Sequence, residues 1–400
     1  MMTHKECMLA TLRGEPTPGI PYAPRLDLWY NAHRRAGTLP PKYKNAALAQ
    51  ILDDLGWGFH AVIPPYRDLR SPEDDLHRAL GIYNIWTMPR AVILENVEVV
   101  PDYRGDETAV EYRTPAGTVR TVTVYDESMR KAGISISHVA ECVIKSADDY
   151  EAVGYIFENA RVEPNYAGYL EYANGVGDRG VAVANVLAAG SPIHLLQRDL
   201  MPIDLFFYEM HDHPDELARC AERIGTYFDR VFQVAAACPA DVFLLGANYD
   251  SMIQYPPFFE KHIAPWLRTF ARRLHERGKF LLTHTDGEND GLLDHYLASE
   301  IDIADSVCPK PMTRLTLKDV RDCFGGRISI MGGVPSVSLL RDSMPDADFD
   351  AFLDRFFDDL GAGDHLILGI SDTTPPAADF DRIKKIGERV EQFGAVNPSG

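Results

Sequence analysis

Apolar residues recur along this chain in two rhythms, and the alternation between them predicts its fold. Short apolar runs, each closed by polar, glycine or proline residues, fall at Ile20–Arg25, Phe59–Ile63, Val181–Val186, Asp241–Gly246, Lys279–His284, Asp302–Val307, Arg327–Met331 and His365–Ile370. Runs this short, bounded by turn residues and separated by helical patterns, predict buried parallel strands. Between the later runs the apolar spacing lengthens to three or four. Phe258, Phe259, Ile263, Trp266, Leu267, Phe270 and Leu274 share one face of a helix predicted over Pro257–Arg277, with Gly278 as its stop. Leu292–Ser299, Thr316–Phe324 and Asp346–Leu360 predict helices in the same way. Strands alternating with helices predict an α/β fold. Eight strands favour a closed (β/α)8 barrel of the TIM type, with an open doubly wound sheet as the alternative.

The first half is less regular. Val97–Val124 alternates polar and apolar residues around Thr114-Pro-Ala-Gly117, which predicts a β-hairpin, and Asp126–Tyr172 reads as helix and loop. No repeat, low-complexity stretch or linker divides the chain. The expectation is a single domain over residues 1–400, with an elaboration at about 90–175 inserted between barrel strands two and three.

Composition narrows the partners. The 400 residues are 46% hydrophobic and 25% charged, as expected for a globular protein, and the formal net charge is −19. That charge disfavours nucleic acid and anionic membranes. The six cysteines are scattered without a CxxC pair, which suits free thiols in a reducing cytoplasm. The segment from Met1 to Gly14 reads as an amphipathic helix rather than a signal peptide, and no run approaches a membrane span. The expectation is a cytoplasmic protein.

In a barrel of this kind, function gathers at the C-terminal ends of the strands. Those ends supply Arg25 and Asp27, Tyr66, Asn185, Asn248-Tyr249-Asp250, His284-Thr-Asp286, Cys308, Met331-Gly332 and Asp372. Residues i and i+2 of a strand share a side, so His284 and Asp286 can aim at one spot if the strand persists that far. With Asp372 from the last strand they would make a three-ligand metal site with an open position. Each has an ordinary alternative: a loop-bonded histidine, a helix-capping aspartate at Asp286, a turn-forming one at Asp372. Cys308 is a candidate fourth ligand or a buried wall residue. Tyr249 and Asp250 are candidates for proton transfer. Arg25, Asp27, Tyr66, Asn185, Asn248, Met331 and Gly332 are candidates for substrate contact. Arg34 and Arg35 could bind an anionic group, although solvated arginines are commoner.

The order of "GKFLLTHTDG", "RISIMGGVPS" and "GDHLILGISDTTPP" resembles the uroporphyrinogen decarboxylase superfamily, most closely between Ala240 and Phe393. The resemblance implies a (β/α)8 barrel, often dimeric. Its decarboxylases carry an Arg-Gln-Ala-Gly-Arg loop. Arg35-Ala-Gly-Thr-Leu-Pro40 resembles it, but the glutamine is absent and Thr38 replaces the last arginine. Their Phe-Ser-Asp-Ile motif is missing. The superfamily's corrinoid-linked methyltransferases hold zinc through His-x-Cys and a later cysteine. By that resemblance the ligands fall on His284, Asp286 and Asp372, with carboxylates in place of both thiolates. The expected activity is a Zn2+-dependent methyltransferase, moving a methyl group from a small methylated compound, such as a methoxylated aromatic, to a corrinoid on a partner protein. A cofactor-free decarboxylase of a carboxylated ring compound, gripped by Arg25, Arg34 and Arg35, is the alternative. A non-catalytic ligand-binding barrel is the third reading.

Overall fold

The computed structural model describes residues 2–62, 76–134 and 136–398. Among the described residues the first half carries six strands, β1 (Arg90–Leu94), β2 (Glu98–Arg104), β3 (Glu107–Thr114), β4 (Gly117–Val124), β5 (His138–Glu141) and β6 (Ala160–Pro164). The second half carries β7 (Val183–Leu187), β8 (Val242–Ala247), β9 (Phe280–His284), β10 (Ile303–Val307), β11 (Ser329–Pro335) and β12 (Leu366–Ser371). These last six lie side by side in one parallel sheet, in strict chain order. Each is preceded by at least one helix, so the protein is a mixed α/β structure. Their residues are buried almost without exception, because helices cover the outward face and apolar side chains fill the inward one.

Two further extended segments flank the sheet where the first two strands were expected. Leu368 in β12 donates to Pro21 O and accepts from Ala23 N, both at 2.8 Å, and Gly58 N donates to Tyr22 O at 2.8 Å. On the other side Val183 N in β7 donates to Ala61 O at 2.9 Å. These pairings are single rungs rather than ladders. Pro21 and Pro24 lack the N–H groups that a longer ladder would need.

One inward apolar layer unites the segments. It includes Ala23, Val62, Val183, Leu244, Leu282, Ile303, Met331 and Ile367. Helix α1 (His4–Leu12), begun by a capping box of Thr3 and Glu6, sets Met8 in the same cluster with Leu9 and Leu12 against it. The helix lies beside the N-terminal ends of the strands, where Lys5 approaches Asp241, the residue before β8, at 3.9 Å.

Three sequence expectations need correction. The predicted hairpin is an antiparallel sheet of four strands, β2-β3-β4-β5. Its turn at Thr114–Gly117 is as expected, with Thr114 Oγ1 bonded to Gly117 O at 2.8 Å, but a second turn at Gly105 adds β2. The stretch Asp126–Tyr172 is not only helix and loop: it holds β5, and β6, which pairs antiparallel with β1. The helix predicted over Pro257–Arg277 breaks into Pro256–Phe258, a π-helical turn at Phe259–Ile263 and Ala264–His275. Pro265, inside the first turn of the last piece, offers no N–H to the carbonyl four residues back. Among the described residues no helix is long and apolar enough to cross a membrane.

Candidate metal centre

The site grows out of strand alternation. Leu282, Ile303 and Ala23 belong to the inward layer, so His284, Asp305 and Arg25, each two residues further on, project to the same side nearer the strands' C-terminal ends. β9 and β10 pair in parallel with His284 opposite Asp305. The two side chains therefore meet without any loop bringing them together, and His284 Nδ1 lies 2.6 Å from Asp305 Oδ2. Asp305 is fully buried, and its other oxygen lies 3.1 Å from His60 Nε2.

The far face of the imidazole carries the candidate ligands. One atom each from His284, Asp286 and Asp372 lie within 4.8 Å of one another, as the sequence spacing anticipated. β9 ends at His284, so Asp286 arrives from the loop just beyond the strand. His284 Nε2 is 3.1 Å from Asp372 Oδ1. The same oxygen accepts from Arg25 Nη1 at 2.5 Å and Ser306 Oγ at 3.1 Å. Asp286 accepts from Cys308 Sγ at 3.3 Å and from Asn248 Nδ2 at 3.4 Å. Cys308 thus touches the cluster through Asp286 and stands outside the compact group of three.

Burial opposes a charge on His284, but its bonds to Asp305 and Asp372 prevail and raise its pKa to about 9. Burial also pushes Asp372 up. The hydrogen bond from His284 and the charge of Arg25 overcome it and hold this carboxyl well below its usual range. Asp305 follows the same pattern, with His284 and His60 outweighing burial. Asp286 is raised, first by burial and then by the neighbouring Asp372. Burial and the Asp286 carboxylate push the Cys308 thiol up. The His284 imidazole and the Arg25 guanidinium both face this crowd of carboxylates.

A divalent cation fits this donor set. Two carboxylates and a neutral imidazole match its charge and leave room for a further ligand. A buried carboxylate on the remote nitrogen of the imidazole is the usual companion of a metal-bound histidine, because it fixes which nitrogen offers its lone pair.

The other sequence candidates stand at differing distances from this cluster. Asp27 accepts from Arg25 Nε at 3.3 Å, Asn248 reaches Asp286, and alternation directs Asn185 inward above Val183, half-buried. Met331 pairs in register with Asp305 and is 5% exposed, so it is an apolar neighbour of the cluster. A side chain on Gly332, whose φ is +119°, would meet Ser371 Oγ at 2.8 Å, so the glycine permits close strand approach.

Tyr249 and Asp250 are engaged within the fold. Tyr249 is completely buried beneath Gly190 and Gly246, with its hydroxyl 3.3 Å from Thr283 Oγ1. Asp250 spends its oxygens on the backbone N–H groups of Met252 and Glu288, organising the loop after β8. Tyr66 lies outside the described residues. Arg34 and Arg35 end the helix Asp27–Ala36, and Arg35 bonds to the carbonyl of Arg130. His60, Asp305 and Ser306 were not picked out from sequence. The available signal was Asp305 itself, a lone carboxylate at an inward position of a short buried strand.

No family model matches the chain, and no curated protein matches it. Among solved structures 23 chains match. One is a methyltransferase from Methanosarcina mazei, 14% identical, with a TM-score of 0.51 over 98% of this chain and 99% of that one. At such identity the likeness bears on the fold.

Proposed function

We propose that this chain is a metal-dependent methyltransferase, built as one (β/α)8-type barrel domain in which the segments at Pro21–Ala23 and Gly58–Ala61 complete the ring between β12 and β7. Residues of about 90–175 are an elaboration of that domain. The observation that carries the activity is the convergence of His284, Asp286 and Asp372 within 4.8 Å, with Asp305 on the remote nitrogen of His284. The fold likeness to a methyltransferase supports it in the second place.

His284, Asp286 and Asp372 would hold the cation, Zn2+ being the first candidate, with Cys308 close enough to Asp286 to join or to wall the site. When bound, the cation supplies Lewis acidity toward the heteroatom that bears the methyl group. The residues around it set the environment. Arg25 and Ser306 orient the Asp372 carboxylate, and Asn248 steadies Asp286. Met331 keeps water from the side of Asp305. Asp27, Asn185 and Asn248 are left to contact a small substrate, for which a methoxylated aromatic is one candidate. A corrinoid on a partner protein is the proposed methyl acceptor, and a homodimer the proposed assembly; both follow from the family resemblance. Decarboxylation is less well supported, because Arg25 is already engaged by Asp27 and Asp372.

The test is elemental analysis of the purified protein and of His284→Ala. Stoichiometric metal in the first and its loss in the second are expected. Equal metal content in both would refute the proposal.

A further inference from the structure

Asp305 is unusual for its position. It is 0% exposed, in a strand whose other residues are buried as well, and both carboxylate oxygens are occupied by imidazoles. A buried carboxylate costs several kcal/mol unless its partners are well placed, and an apolar residue at such a site is often at least as stabilising. The inward neighbours Ile303 and Met331 show what an apolar layer here looks like. A charge kept at this point calls for a role beyond packing.

Resting on the metal reading above, we infer that Asp305 is a positioning residue for the cation site and that His60 is the strut that holds it. An ionised carboxylate only accepts hydrogen bonds, so Nδ1 of His284 must carry the hydrogen toward Asp305. The lone pair of Nε2 is then directed at the side where Asp286 and Asp372 stand, which is the orientation a ligand needs. By the same rule His60 Nε2 donates to the other oxygen at 3.1 Å. His60 Nδ1 is buried and has no partner among the described residues, so the polar contact of this ring is spent on Asp305. His60 comes from the segment beside β7, far from β9 and β10 in sequence. It pins the carboxylate from outside the strands that form the site.

The experiment uses the full-length protein, loaded with Zn2+ and titrated against a chromogenic chelator. Asp305→Asn should weaken apparent Zn2+ affinity by about 10–100-fold. His60→Ala should give a smaller loss, roughly tenfold, and His60→Gln, which restores a donor, should recover most of it. Long-range 1H–15N spectra of the loaded wild type should show His284 protonated at Nδ1 and cation-bound at Nε2. That measurement decides the matter if Asp305→Asn does not fold. Asp305→Asn and His60→Ala binding as tightly as wild type, while His284→Ala loses the metal, would overturn this inference alone. So would the opposite tautomer. Tight binding retained by His284→Ala would instead overturn the metal reading beneath it.

Discussion

His194 should make this protein acid-sensitive by an amount the structure lets one work out. The residue sits in the short helix Pro192–Leu195 after β7, 0% exposed, with its ring centroid 5.2 Å from that of Tyr249. Its Nδ1 accepts from Gly190 N at 3.0 Å, and Nε2 has no partner among the described residues. Burial, and next the charge of Arg198, lower its pKa from the ordinary 6.5 to about 3. The sign follows from proton counting. Between those values the unfolded chain binds a proton that the folded protein refuses, so stability is lost as pH falls below 6.5. At about 1.4 kcal/mol per pH unit, the loss between pH 7 and pH 5 is about 2 kcal/mol. Asn at this position cannot titrate and retains an oxygen that can accept from Gly190. His194→Asn should therefore be less stable than wild type at pH 7, through lost packing, but should lose about 2 kcal/mol less on going to pH 5. Urea unfolding followed by tryptophan fluorescence at the two pH values measures both quantities. Contributions from other histidines cancel in the comparison. Parallel losses in the two proteins, within about 0.5 kcal/mol, would refute the argument.

Two further outcomes bear on the site. Gly332→Ala should cost about 1–3 kcal/mol, because the residue has a φ of +119° and its new methyl would press on Ser371 Oγ. It should also lower metal retention, since Ser371 precedes Asp372; urea unfolding and elemental analysis check the two effects, and unchanged values in both would remove Gly332 from the account. Tyr249→Phe should cost about 1 kcal/mol and leave metal content unchanged. A protein that then loses its metal would put the ring in the site after all.

Much of the architecture was legible because parallel strands and their helices impose different apolar periods. The ends of β7 to β12 lie within a few residues of the expected positions, and α1, Gly278 and the Thr114–Gly117 turn are where local chemistry puts them. The two flanking segments kept their extended path but not full strand pairing, because Pro21 and Pro24 limit the rungs available. The π turn before Pro265 was hidden because its apolar residues still fall on one face. At the site, His284, Asp286 and Asp372 were legible as ligand-type residues at strand ends. The depth of Tyr249 was not legible, because position after a strand says nothing about burial: its ring turns under Gly190 and Gly246. Asp305 was missed for a related reason. Its meaning depends on sitting opposite His284, and register between strands is not written in either strand alone.

The placement of α1 has a consequence for access. Met8, Leu9 and Leu12 cover the sheet's inward layer with apolar side chains at the end remote from His284. On the proposed metal reading, the cation and the substrate would reach His284 from the strands' C-terminal side, opposite this apolar packing.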